Sequence, residues 1–134
     1  MKSVYEIDGD KFDDLESFYD HVSQILIPGS EWGENLDAFN DILRGGFGTP
    51  EGGFVLRWMN SDRSREKLGY PETVRYIEQK LTRCHPDNRE DVRSDLLLAQ
   101  QCKGKTLFEI LTDIIRNHGS GGRESEDGVE LVLM

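Results

Sequence analysis

The chain has 134 residues, 36% of them hydrophobic and 31% charged, with a formal net charge of −10. That length fits one domain able to bury roughly two-thirds of its unfolded surface without staples. Six Phe, four Tyr and two Trp exclude a chain disordered throughout, and no apolar run approaches the roughly 18–20 residues of a membrane span.

Residues 3–8 read as a first strand, ended by Gly9. An amphipathic helix follows, because Phe12, Leu15, Phe18, Tyr19, Val22, Ile25 and Leu26 recur at the three- and four-residue spacing of a core-facing stripe. Asp10 is its expected N-cap, with Asp13 and Asp14 at the positive end of the helix dipole, and Pro28-Gly29-Ser30 stops it. A short helix over 35–44 then ends at Gly45-Gly46, with Leu36, Phe39, Ile42 and Leu43 on its apolar side. Asp37, Asn40, Asp41 and Arg44, at i, i+3, i+4 and i+7, share the other face.

After a Gly- and Pro-containing loop, residues 54–58 read as a second, mostly buried strand. Three more helical stretches are expected over 71–83, 88–101 and 106–117, with Pro71 suited to a first turn. Residues 119–128 form a surface loop, and 129–133 a third strand. Strands joined through helical crossovers pair in parallel. The expectation is therefore one α/β domain, with a small three-stranded parallel sheet and helices packed around it.

Catalytic chemistry is not indicated. Gly45-Gly46-Phe47-Gly48 has neither the lysine nor the strand-to-helix order of a phosphate loop. His21, His85 and His118 are scattered and read as surface residues, and no spacing sets up a Ser–His or Cys–His pair. Cys84 and Cys102 read as partly buried free thiols in a reducing compartment. With His85 they lack the second close ligand pair of a zinc site. Glu34, Asp37 and Asp41 are acids of the kind that hold magnesium in a metal nuclease, but this region has no base before Arg44 to hold phosphates. No cofactor or metal is expected.

Charge is distributed unevenly. Residues 1–41 hold 11 Asp and Glu against only Lys2 and Lys11, whereas residues 42–134 hold 15 acids and 14 bases. Such a field repels nucleic acid and anionic membranes and attracts a basic protein. The start of the chain, Met1-Lys2-Ser3-Val4-Tyr5-Glu6, has no apolar signal region, so the cytoplasm is the expected compartment. Asp37 and Asp41 are like charges four residues apart, which mildly destabilises a helix, and Trp32 and Gly33 lie just before them. An aromatic beside carboxylates on a rigid helix suits an interface centre. The residues alone equally allow a solvated face on which Arg44 pairs with Asp41.

The run Trp32-Gly33-Glu34-Asn35-Leu36-Asp37-Ala38 closely resembles the motif of the barstar family, intracellular inhibitors of ribonucleases. Asp41, Leu43, Gly45 and the Val55-Leu56-x-Trp58 strand agree with it. The likeness covers residues 1–60 well and 105–134 more loosely; residues 61–104 are longer than the family's equivalent, as a helical insertion would make them. The resemblance implies a protein inhibitor, not an enzyme, monomeric when free, whose partner is a basic ribonuclease, either secreted or a toxin. It implies that Asp41 is the central anion in the nuclease site and Asp37 the second. Trp32, Gly33 and Asn35 would supply shape and hydrogen bonds, and Phe47 would replace an aromatic after the helix. Asp113 is the counterpart of a further acid near the C-terminal helix. Asn40, at the same interface, stands where the family has an aromatic; Glu31 replaces another aromatic, and Arg44 adds a positive charge to the acidic face. These departures leave open a second reading, a regulatory or scaffold domain of the same fold that binds another basic protein.

Overall fold

A computed structural model describes residues 2–29, 35–44, 52–119 and 121–134. Strands β1 (Val4–Asp8), β2 (Val55–Met59) and β3 (Glu130–Leu133) form a parallel sheet in the order β1-β2-β3. The register sets Val4 beside Val55 and Val55 beside Glu130. Among the described residues the α-helices are α1 (Leu15–Leu26), α2 (Leu36–Leu43), α3 (Ser61–Lys67), α4 (Tyr70–Arg83), α5 (Arg89–Gln100) and α6 (Leu107–Asn117). The expected α/β architecture is therefore the observed one, and each expected strand lies within a residue of its predicted span.

Trp58 of the central strand is fully buried and organises the core. The rings of Phe12, Phe18 and Phe108 lie 6.0, 5.6 and 5.1 Å from it. Its indole N–H donates to Ser64 Oγ at 2.9 Å, so the large side chain leaves no buried donor unpaired.

The N-cap of α1 is Asp14, not Asp10: the Asp14 carboxylate accepts from Ser17 N at 2.9 Å. Asp10 instead sits in a 3-10 turn, Gly9–Lys11, which the Asp8 carboxylate caps at 2.9 Å. Phe12 follows this turn in extended conformation and reaches the core from the connection rather than from the helical stripe. The turn packs tightly on α3. A side chain at Gly9 would lie 2.4 Å from both Asn60 O and Ser64 Oγ, and Arg63 donates to Gly9 O and Phe12 O at 2.6 and 3.0 Å. Helix α3 escapes hydrophobic periodicity because what it buries is Ser61 and Ser64.

Helix α4 is joined to α1 by a buried carboxylate. Glu72 accepts from Leu15 N at 2.8 Å, and Arg75 bridges Glu72 to Glu16. Helices α4 and α5 also enclose a separate small cluster, Ile77, Val92 and Ala99. Cys84 is half-buried, but Cys102 is exposed, which corrects the expectation for that thiol. No helix among the described residues is long and apolar enough to cross a membrane.

His21 is half-buried rather than superficial, and its Nε2 accepts from Asp8 N at 2.9 Å. Burial pushes its pKa below the ordinary 6.5, outweighing the nearby Asp8 charge. The unfolded chain thus takes up this proton at a pH where the folded chain does not, so stability is lost as pH falls from about 6.5 toward the lowered folded value. Denaturant titrations across that window should give a steeper loss for the wild type than for His21→Gln, whose side chain can still accept.

Candidate functional site

Helix α2 is short, and tertiary packing rather than propensity holds it. Asn35 caps it, its Oδ1 accepting from Ala38 N at 2.8 Å. Phe39, Ile42 and Leu43 are at most 1% exposed, and Phe39 meets Phe18 of α1 edge to face at 5.5 Å. With that side buried, Asp37 and Asp41 face solvent. Asp37 sits in the first turn, where the helix dipole favours an anion, and it has no ion-pair partner among the described residues. Its charge reaches α4: the Tyr76 hydroxyl is pushed up mainly by burial and further by Asp37.

The remaining polar residues of α2 are not simply solvated. Asn40 turns inward from the acidic face and lies 2.7 Å from His118 Nε2, at the end of α6. His118 is fully buried, which corrects its reading as a surface histidine. Its Nδ1 donates to Asp127 Oδ2 at 2.6 Å, and Glu124 Oε2 approaches Nε2 to 3.6 Å. The segment 121–127 that supplies Glu124 and Asp127 is itself pinned, since Glu124 N donates to Asn117 O and Val129 N to His118 O, each at 2.8 Å. What reads as a loose surface loop is thus one wall of the site, with a 3-10 turn at Ser125–Asp127.

Arg44 closes the exposed side. Its Nη1 donates to Asp41 Oδ1 at 2.8 Å and its Nε to Glu124 Oε1 at 2.7 Å. The Glu124 contact is the main cause that raises Arg44's pKa, and Arg44 in turn holds the Glu124 carboxyl below its usual range. The pairing of Arg44 with Asp41 that the residues allowed is therefore present.

His118, Glu124 and Asp127 also bring three possible metal-ligand atoms within 4.8 Å of one another. Those atoms serve hydrogen bonds and ion pairs within the protein: both ring nitrogens have partners, and Glu124 holds Arg44. The arrangement works as a clamp between α2 and 121–127. Of the other expected site residues, Asp113 pairs with Lys105 and lies in a shallow depression with Arg116 and Arg123. Trp32, Gly33 and Phe47, like Glu34, fall outside the described residues.

A family model described as Barstar (barnase inhibitor) matches residues 2–94. The chain belongs to the Barstar family. The match runs from β1 into α5, so α6 and β3 lie beyond it even though β3 completes the sheet. Among curated proteins, none matches the chain. The Barstar family is one of inhibitors rather than of enzymes.

Nothing near position 118 in sequence announces the clamp, because its partners come from α2 and from a Gly- and Ser-rich stretch. Removing the ring should leave Asn40 and Asp127 without their partner, at about 1–3 kcal/mol for a buried unsatisfied group. His118→Leu is therefore expected to unfold at lower denaturant. It should also exchange the amides of Glu124 and Val129 faster than the wild type, relative to those of β1; equal protection in both segments would reject the clamp.

Proposed function

We propose that this Barstar-family chain is an inhibitor, an immunity protein, for a basic ribonuclease of secreted or toxin type. It acts in the cytoplasm and blocks the nuclease active site with α2 and the residues just before it. Membership of the Barstar family carries this reading, and the exposure of Asp37 and Asp41 on one rigid, solvent-facing side of α2 supports it. A ribonuclease site is built to hold phosphates with cationic side chains. Carboxylates fixed in place can occupy those positions with charge-assisted hydrogen bonds, frequently bidentate to arginine. In this reading Asp41 is the central anion and Asp37 the second, Asn35 contributes from the helix N-cap, and Asn40 contributes from beside the acidic face, where it also holds His118. Trp32, Gly33 and Phe47 would contact the same nuclease, with Asp113 in a lesser role. The domain spans 1–134, and the α4–α5 pair with its own apolar cluster is the helical addition within 61–104.

The excess of acid in residues 1–41 suits fast encounter with a basic partner. Opposite fields of this kind speed encounter, as in the barnase–barstar pair. A second reading, a regulatory or scaffold domain for another basic protein, draws on the Arg44–Asp41 pair, which removes part of the negative charge from the presented face.

The reading predicts that Asp37→Ala and Asp41→Ala each raise the Kd for the inhibited ribonuclease by about tenfold or more, about 1.4 kcal/mol per tenfold. The association rate should fall as salt is raised, because steering is screened. Unchanged affinity in both variants rejects the interface. Binding to a basic protein without any ribonuclease inhibition favours the second reading.

A further inference from the structure

Arg44 is the one feature of the acidic face that a phosphate mimic does not need. Its guanidinium is nonetheless held at two of its nitrogens. It is bridged by two carboxylates, Asp41 three residues before it on α2 and Glu124, 80 residues after it, on the 121–127 wall. Glu124 is in turn fixed through its backbone to Asn117. The Arg44 side chain remains 47% exposed, and its Nη2 has no partner among the described residues. Two carboxylates that grip Nε and Nη1 fix the guanidinium plane, and Nη2, between those two donors, is left without an acceptor among the described residues. A donor ordered before binding loses little entropy on binding.

A fixed cation beside Asp41 repels a wholly cationic surface, so it discriminates against partners that cannot satisfy it. The partner that fits offers cations for Asp37 and Asp41 and, beside them, one acceptor of negative charge. Metal-independent cleavage of RNA supplies that chemistry: a general base must take the 2′-hydroxyl proton next to the cations that hold the phosphate. Resting on the ribonuclease reading above, we infer that Arg44 is a recognition group that pairs with a carboxylate general base in the nuclease site. The two aspartates meet the phosphate-binding cations. Glu124 is a positioning residue that acts through Arg44. The surface therefore selects nucleases with a carboxylate base over those without one.

The test uses a basic, metal-independent ribonuclease that the wild-type chain inhibits, together with a variant of that nuclease whose base carboxylate is replaced by the carboxamide. Arg44→Ala should weaken binding to the intact nuclease about tenfold and change binding to the carboxamide variant by no more than about twofold, a non-additive pair. Asp41→Ala should weaken both alike. Arg44→Lys should recover only part of the loss, because an ammonium cannot grip two carboxylates and still present a planar donor edge. Equal losses on both nucleases, no loss, or tighter binding by Arg44→Ala would overturn the inference while leaving the inhibitor reading intact. Failure of the wild type to inhibit any such nuclease would overturn both. In the free chain, the Arg44 Nε–H resonance should be protected from solvent exchange in the wild type and lose that protection in Glu124→Ala. An unprotected resonance in the wild type contradicts preorganisation whatever the partner.

Discussion

Phe39 packed edge to face on Phe18 fixes what the rest of the molecule can do. Burying a phenyl ring of this kind contributes about 1.5–3 kcal/mol, and Ile42 and Leu43 beside it extend the same buried strip. A helix seated on positions 39, 42 and 43 has no choice about where positions 37, 41 and 44 point. The hydrophobic core thereby sets the direction of two aspartates and an arginine that are themselves exposed. The like charges of Asp37 and Asp41 cost this short helix some stability. Packing, the Asn35 cap and Arg44 at the negative end of the helix dipole offset that cost.

The second constraint is polar. His118, fully buried, joins α2 through Asn40 to the segment before β3 through Asp127, while Glu124 reaches over to Arg44. The edge of the acidic face is therefore defined by residues from both ends of the sequence. A rigid, partly self-compensated surface of this kind favours specificity over raw attraction. In the proposed reading its net field draws a basic protein, and Arg44 limits which basic site can close on it.

The architecture was legible where a single periodicity carried it. The stripe from Leu15 to Leu26, the apolar side of α2 and the alternation around Trp58 each mark a face, and the parallel order of the strands follows from helical crossovers. Helix α3 was not legible, because it buries serines and an arginine's hydrogen bonds instead of an apolar stripe. The cap of α1 moved from Asp10 to Asp14 because Asp8 spends its carboxylate on a preceding 3-10 turn. Asp37 and Asp41 could be placed on an exposed face from spacing alone. The inward turn of Asn40, the burial of His118 and the grip of Glu124 on Arg44 could not. Each depends on contacts between residues roughly 80 apart in the chain, and local pattern holds no record of them.

In the proposed mode of inhibition, carboxylates on α2 take the place of RNA phosphates. Competition addresses it directly: a non-cleavable oligonucleotide bound to the target ribonuclease is titrated against the wild-type chain. If Asp37 and Asp41 occupy the phosphate positions, the chain displaces the oligonucleotide fully and inhibition is competitive with RNA. A ternary complex of nuclease, oligonucleotide and inhibitor, with inhibition independent of RNA concentration, would rule out phosphate mimicry by Asp37 and Asp41.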